Sequence, residues 1–151
     1  MVDSDTSDSL RKYVDSPRNH CFVCSGTNPY GLHLRFSQDA GLVTSSFVPE
    51  RWHEGWEHIV HGGILASVLD EAMAYTLFFT GILAMTAKLE IRYKLPVYRG
   101  DKLDIEARIE RDTRKLAFVA ASIVRARQVV AEAYGTFIKL RPLETVYQED
   151  Q

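Results

Sequence analysis

Two adjacent carboxylates, Asp70 and Glu71, lie in the middle of the apolar stretch HGGILASVLDEAMAYTLFF. Burying an ionised carboxylate is costly unless it is paired, so their position needs a chemical reason. Asp70 could attack a carbonyl carbon or activate a water molecule, or it could be a structural acid paired with an arginine or a backbone N–H. Glu71, about 100° further round a helix, is expected to form a salt bridge or to face solvent.

A glycine pair, Gly62 and Gly63, opens the same stretch. Without side chains, these residues let a ligand oxygen approach the unpaired N–H groups at a helix start, where the helix dipole is positive. This arrangement suits a carbonyl that gains negative charge, although the pair could simply let a loop approach a sheet. His61, just before it, is a candidate catalytic or substrate-orienting group, or a helix-start residue bonded to loop backbone.

The spacing between these groups limits how they can cooperate. Gly62 and Asp70 are separated by eight residues, which is about 12 Å along a helix axis. A single carbonyl group cannot easily reach both Asp70 and the Gly63 N–H of one helix. If both groups act on one substrate, they are expected to come from two protomers of a symmetric pair.

Hydrophobic periodicity predicts one helix and about six strands. Alternation predicts a strand over residues 31–37, which forms a hairpin with 40–49; residues 50–60 are irregular, and a helix covers roughly 62–79. Four further strands, predicted to form an antiparallel meander, cover 86–95, 101–111, 115–124 and 129–141. Residues 115–124 are apolar on both faces, so this strand should be central or lie at an interface. The prediction is an α+β domain with one long helix against an antiparallel sheet.

Composition restricts the class of protein. A chain of 151 residues with a formal net charge of −2 suits one domain and lacks the basic excess typical of nucleic-acid binders. We expect a mobile polar segment over 1–16, a single domain over 17–143 and a tail over 144–151. The start lacks the pattern of a signal peptide, and two acids interrupt the apolar run 62–85, so a cytoplasmic protein without membrane contact is expected.

Two cysteines, Cys21 and Cys24, are the remaining candidates for special chemistry. His20 and His33 could complete a zinc site, but a second ligand pair at standard spacing is missing. A redox Cys-x-x-Cys motif normally opens a helix in a different fold. We therefore expect no metal site and no cofactor, with both cysteines buried as small apolar residues.

The stretch HGGILASVLDEAMA, with CFVCSGTNPYGLHLRF before it and TAKLEIRYKLPVYRGDKL after it, resembles the hotdog-fold acyl-CoA thioesterases of the phenylacetate-pathway (PaaI-like) family. The resemblance implies a long helix wrapped by a curved antiparallel sheet, with active sites between paired protomers. It also implies that Asp70 is the base or nucleophile and that the Gly63 N–H polarises the thioester carbonyl. Related enzymes often place Asn or Gln at the position of Gly55, where it helps to hold the water; here His53 or His58 could take that role.

The expected function is hydrolysis of an acyl-CoA or a related acyl thioester to the free acid and CoA. A non-catalytic acyl-CoA-binding protein on the same fold is the alternative, whereas a hotdog dehydratase fits the motif poorly. The expected partner is a second copy of the chain, in a dimer or a dimer of dimers. Besides Asp70, Gly63 and His61, the candidate substrate-binding residues are Gly62, His53, His58, Thr86, Arg92 and Lys94.

Overall fold

The computed structural model describes residues 4–147 of the chain and consists of two helices, eight strands and two short 3-10 turns within that range. The helices are α1 (Ser4–Val14) and α2 (Gly62–Phe78), and the 3-10 turns are Arg51–His53 and Leu143–Tyr147. The strands are β1 (Ser37–Asp39), β2 (Leu42–Phe47), β3 (Glu54–Trp56), β4 (Ile59–Val60), β5 (Ile82–Tyr93), β6 (Leu103–Asp112), β7 (Leu116–Arg125) and β8 (Gln128–Pro142).

Six strands form one sheet in the order β1-β2-β6-β7-β8-β5, and every neighbouring pair is antiparallel. Helix α2 contacts five of them, β2, β5, β6, β7 and β8, so it lies against one face of the sheet. Strands β3 and β4 form a separate two-stranded ladder before α2. The predicted α+β architecture, with one long helix against a six-stranded antiparallel sheet, is confirmed.

Helix α2 is apolar on nearly every side because it is covered on nearly every side. Val68, Leu69, Ala72, Met73 and Leu77 have no exposed surface, and burial of each large apolar side chain contributes about 1.5–3 kcal/mol. A helix that is buried all round lacks the polar stripe of a surface helix. Within residues 4–147, no helix combines the length and the apolar character needed to cross a bilayer.

Strand β7 is central, as its composition predicts. Ala117, Val119, Ala121 and Ile123 are buried on the face toward α2, and the alternate residues are partly covered. Interior strands of a sheet lose solvent on both edges, which suits a run without charged residues.

The predicted meander is wrong at one connection. Strands β6, β7 and β8 follow one another, but β5 pairs with β8 and β6 pairs with β2. Residues 94–102 therefore cross three strand spacings, about 14 Å, rather than forming a hairpin. Nine extended residues reach that distance easily, so the length of the connection could not distinguish the two topologies.

The strand predicted over 31–37 is also wrong, because residues 31–36 do not pair with another strand of the sheet. The alternation of apolar and polar residues nevertheless predicts the burial of Leu34 correctly. Leu34 is buried, and the N–H groups of Leu32 and Leu34 donate to the carbonyls of Phe22 and Val23 at 2.7 and 2.8 Å. His33, between them, has a positive φ of 55°, a conformation that interrupts a regular strand. The region predicted as irregular, 50–60, contains the Arg51–His53 turn and the β3–β4 ladder.

The first residues include a helix that composition did not predict. Helix α1 places Leu10 in the core, with 6% of its surface exposed, and Tyr13 contacts Phe78 edge-on with ring centroids 5.9 Å apart. The segment expected to be mobile thus contributes to the packing of the domain. Leu143, the last residue of the expected domain, is buried; residues 1–3 and 148–151 lie outside the described range.

Candidate active site

Asp70 and Thr86 form the first part of the site. The Thr86 hydroxyl donates a hydrogen bond of 2.6 Å to Asp70 Oδ1. Asp70 is partly buried on α2, whereas Thr86 lies on β5 and is exposed. A hydroxyl donor fixes the orientation of a carboxylate and leaves its second oxygen available for a reaction partner.

A β-bulge brings Thr86 to this position. Thr86 lies opposite Phe137 and Lys88 lies opposite Thr136, so Ala87 is one extra residue in β5. Strict alternation from Lys88 would place Thr86 on the outer face of the sheet. The extra residue shifts the alternation of side chains between the two faces by one position. Thr86 therefore lies on the inner face of the sheet, beside the fully buried Phe137.

The second part of the site is the start of α2, where His61 is the N-cap residue. The Gly63 N–H, the candidate donor to a carbonyl oxygen, donates to His61 Nδ1 at 2.8 Å in this structure. His61 is anchored through its own N–H, which donates to the His53 carbonyl at 2.8 Å. His61 therefore has the local helix-start role that the sequence left open, and its ring contacts the candidate donor directly.

Tyr93 fixes the backbone at the same end. Its hydroxyl donates to the Gly62 carbonyl at 2.8 Å, and a Cβ built on Gly62 would lie 3.3 Å from Tyr93 Cζ. Gly55 lies close to the His61 backbone, since a Cβ atom built on Gly55 would be 3.1 Å from His61 Cα. A larger residue at either glycine would displace its neighbour, which explains the small residues at this crossing.

Strand β5 links the two parts of the site. It contacts α2 along its length, with Thr86 beside Asp70 and Tyr93 beside Gly62. It is also the last strand of the six-stranded sheet. Both candidate groups therefore lie along one edge of the sheet, at two separate points of one chain.

An open cleft of about 960 Å³ lies beside the start of α2. His53 and Ile64 contribute to its wall, and the exposed ring of Trp52 stands at its rim. The His53 ring contacts Phe47 and accepts a 2.9 Å hydrogen bond from the Glu50 N–H, and burial lowers its pKa. Other aromatic and apolar residues of the cleft include Phe22, Tyr30, Leu32, Leu34, Phe47 and Val48.

Three further predicted substrate-binding residues lie apart from Asp70 within one chain. Arg92 and Lys94 contact Glu132, at 4.0 and 2.8 Å, on the face of the sheet that points away from α2. The exposed His58 has a positive φ of 66° and lies 3.6 Å from Glu57. Only a partner chain or an extended substrate could connect these residues with Asp70.

Glu71 differs from its prediction. It neither faces solvent nor forms an ion pair with a lysine or arginine among the described residues; it accepts a 3.3 Å hydrogen bond from Cys21 Sγ. Burial raises the pKa of Glu71 to about 8. A hydrogen bond from Cys24 lowers the pKa of Cys21 to about 5 and contributes to raising that of Cys24.

Sequence reasoning missed Tyr93, the cleft and the contact of Glu71 with the cysteines. Three aromatic residues of α2 and its end, Tyr75, Phe78 and Phe79, form a ring cluster. Tyr75 also stacks on Phe36 at 4.3 Å. The contacts of Tyr75 with Phe36 and of Glu71 with Cys21 are long-range, so the spacing of residues along the chain gave no signal for them.

Comparison with known proteins provides an independent test of the family. The profile of the thioesterase superfamily matches residues 57–132, about half of the chain. The human protein acyl-coenzyme A thioesterase THEM5 is 34% identical over 99 residues, which are 63% of this chain and 39% of that protein. The chain spans about two fifths of the length of the curated relatives that it matches.

Solved structures share the fold. A putative thioesterase from Ralstonia eutropha, described as related to phenylacetic acid degradation, is 25% identical with a TM-score of 0.71, over 88% of this chain and 98% of that one. A Streptococcus mutans protein crystallised with acetyl-CoA is 22% identical with a TM-score of 0.68, over 72% and 90% of the two chains. The hotdog architecture is thereby confirmed, and the chain belongs to the thioesterase superfamily.

Proposed function

We propose that the protein hydrolyses an acyl-CoA thioester to the free acid and CoA. The observation that carries this proposal is the Asp70 carboxylate, which lies on the mostly apolar helix α2 and accepts a hydrogen bond from Thr86 of the edge strand β5. The similarity to acyl-coenzyme A thioesterases and the acetyl-CoA bound to the Streptococcus mutans protein support a CoA ester as the substrate class.

In the proposed reaction, Asp70 acts as general base or as nucleophile. As a base, it removes a proton from water while the water oxygen bonds to the thioester carbon, and the C–S bond then breaks with protonation of the CoA sulfur. As a nucleophile, its oxygen bonds to the thioester carbon while the C–S bond breaks and the CoA sulfur leaves and takes up a proton; water then cleaves the resulting anhydride to the free acid and regenerates Asp70. The Gly63 N–H stabilises the negative charge on the carbonyl oxygen after the substrate displaces His61 Nδ1 from it.

We propose that the site forms between two chains. If β5 pairs with its symmetry copy so that Thr86 lies opposite the partner's Tyr93, then Asp70 of one protomer faces the helix start of the other. The proposed pairing also covers the unpaired N–H and C=O groups along the edge of β5, which offer a template for pairing with another chain. The exposed Met85 and Ile138, opposite each other on the outer face, favour further contact between copies.

The cleft beside α2 is the proposed location for the part of the substrate that adjoins the carbonyl. Its wall includes His53 and Ile64, the latter one residue after Gly63, and Trp52 lies at its rim. Aromatic and apolar side chains with a few polar groups are typical of sites for small molecules. Phosphates of CoA would then extend toward basic side chains, for which Arg92 and Lys94 of the second protomer remain candidates.

A hydrolysis screen tests the proposed function. Acyl-CoAs of different chain length and an arylacyl-CoA are incubated with the protein, and the released thiol is measured with a thiol reagent. We expect hydrolysis with at least one ester and its loss in Asp70→Asn. Saturable binding of acyl-CoA by calorimetry, without thiol release from any ester, would favour the non-catalytic binding protein instead.

Mixed dimers test the shared site. Asp70→Asn protein is mixed with Gly63→Pro protein, which lacks the Gly63 N–H. If the site spans two chains, a mixed dimer has one site with both defects and one with none, so activity returns on mixing inactive parents. Sedimentation shows whether the parents are dimers, and tagged subunits verify exchange. Continued inactivity with proven exchange and folded parents would exclude the two-chain mechanism.

A further inference from the structure

We propose that Cys21, Cys24 and Glu71 bind one divalent cation of the zinc class and thereby join the loop before β1 to helix α2. Each residue offers one ligand atom, and all three atoms lie within 4.8 Å of one another. In the sequence, the two cysteines stand at metal-ligand spacing, with His20 and His33 as the further ligands considered. The fold adds Glu71 as the third ligand, 47 residues after Cys24 in the printed sequence.

The cysteine loop holds its sulfur atoms in an arrangement suited to a metal. The N–H groups of Val23 and Cys24 donate to Cys21 Sγ at 3.3 and 3.5 Å, and the Ser25 N–H donates to the Cys21 carbonyl at 3.2 Å. This tight turn directs the Cys21 sulfur back over the loop, next to Cys24. Two N–H donors stabilise a thiolate, which is the form of cysteine that binds metals.

The surroundings of Glu71 support a cation as the ligand. In the part of the chain that the structure describes, its carboxylate interacts with the two cysteines and forms no ion pair with a lysine or arginine. Two thiolates and a carboxylate would place three negative charges in a partly buried position, and a divalent cation offsets most of that charge when the ligands lose their protons. The 3.3 Å between Cys21 Sγ and Glu71 Oε1 is near the roughly 3.6 Å expected for sulfur and oxygen on one tetrahedral zinc.

The ligand types indicate which cation binds. Thiolates favour Zn²⁺ and similar transition metals, whereas Mg²⁺ and Ca²⁺ prefer sets of oxygen ligands. A cavity of about 610 Å³, lined in part by Tyr13, Asn19 and Cys21, leads to this cluster and gives space for water as the fourth ligand. Because Glu71 follows Asp70 directly, the cation would fix the part of α2 that carries the candidate base.

Cobalt titration of the reduced, chelator-treated protein tests the proposal. Co²⁺ serves as the probe because its visible bands report tetrahedral geometry and its near-ultraviolet charge-transfer bands report thiolate ligands. We expect saturation at one Co²⁺ per chain with both kinds of band, and displacement by Zn²⁺. Weak, non-stoichiometric uptake, or saturation without the charge-transfer bands, would overturn the proposal, as would a reduced protein that takes up no metal.

Variants identify the ligands. Cys24→Ser should lower the charge-transfer absorbance, and Glu71→Gln should weaken Zn²⁺ binding by at least about tenfold while the thiolate bands remain. The matched control is Glu90→Gln, an exposed glutamate 3.1 Å from Lys88, which should bind Zn²⁺ like the wild type. Equal affinity in the Glu71→Gln, Glu90→Gln and wild-type proteins would remove Glu71 from the site. Titration of the wild type remains decisive if a variant fails to fold.

Discussion

Asp70 and Glu71 are neighbours on α2, yet the fold surrounds them with different chemistry. Asp70 faces the edge strand β5, where the Thr86 hydroxyl orients its carboxylate. Glu71 faces the loop of Cys21 and Cys24, and burial raises its pKa to about 8. The two sides of one helix thus separate a carboxylate available to a substrate from one enclosed by the protein, which suggests catalysis on one side and structural support on the other.

The largest expected effect distinguishes the two carboxylates directly. Asp70→Asn keeps the shape and an acceptor for Thr86, but it removes the charge. We expect kcat to fall by about a hundredfold or more, the usual scale for loss of a general base. Glu71→Gln should lower kcat by less than about tenfold under the same conditions. Steady-state thiol release measures both, and an equal or larger loss in Glu71→Gln would reverse the assignment of roles.

The difference between these carboxylates was only partly predictable from the sequence. The apolar run around Asp70 and the adjacent glycines were sufficient to predict the helix and the candidate base. The contact between Cys21 and Glu71 joins positions 50 residues apart, and no local pattern encodes such a contact. The bulge at Ala87 is equally hidden, because alternation from Lys88 to Tyr93 predicts the opposite face for Thr86.

The topology shows the same limit. Local patterns placed β5 to β8 along the chain correctly, since β5 and β6 show a period of two and β7 is a continuous apolar run. The partner of each strand depends on how the long connection over 94–102 crosses the sheet, which periodicity does not report. Helix α1 was missed because residues 4–14 are mostly polar; its contribution to the core comes mainly from Leu10.

The covered side of α2 should govern stability more than activity. Leu10→Ala removes a buried side chain between α1 and the domain, so we expect the free energy of unfolding to fall by about 2–3 kcal/mol. Urea denaturation measures this change, with the exposed Arg11→Ala as control. The kcat of the folded variant should remain near the wild-type value. Unchanged stability in Leu10→Ala would indicate that α1 does not pack against the domain in solution.

On the exposed side, loss of the Thr86 hydroxyl should impair catalysis. Thr86→Val preserves the shape and removes the donor to Asp70. A hydrogen bond to a charged group contributes about 1.5 kcal/mol or more, so kcat should fall by about tenfold. Thr86→Ser retains the hydroxyl and should recover most of the rate. If Thr86→Val and Thr86→Ser behaved alike, the contact would not orient the base.

The smallest expected effect concerns Tyr93, which acts on the candidate oxyanion donor through the backbone. Its hydroxyl donates to the Gly62 carbonyl, and its ring lies against the Gly62 backbone. Tyr93→Phe keeps the ring and removes a hydrogen bond worth about 1 kcal/mol, so kcat/KM should fall about fivefold. Because the donor acts on charge that develops in the transition state, kcat should change more than KM.

Tyr134→Phe is the matched control for this change, since Tyr134 is an exposed tyrosine on β8 and is half uncovered like Tyr93. It lies on the outer face of the sheet, away from α2, and its substitution should leave kcat/KM near the wild-type value. A loss confined to KM, or an equal loss in Tyr134→Phe, would contradict positioning of the helix start by Tyr93. A loss of kcat/KM in Tyr93→Phe but not in Tyr134→Phe would indicate that the first turn of α2, like Asp70, contributes to catalysis.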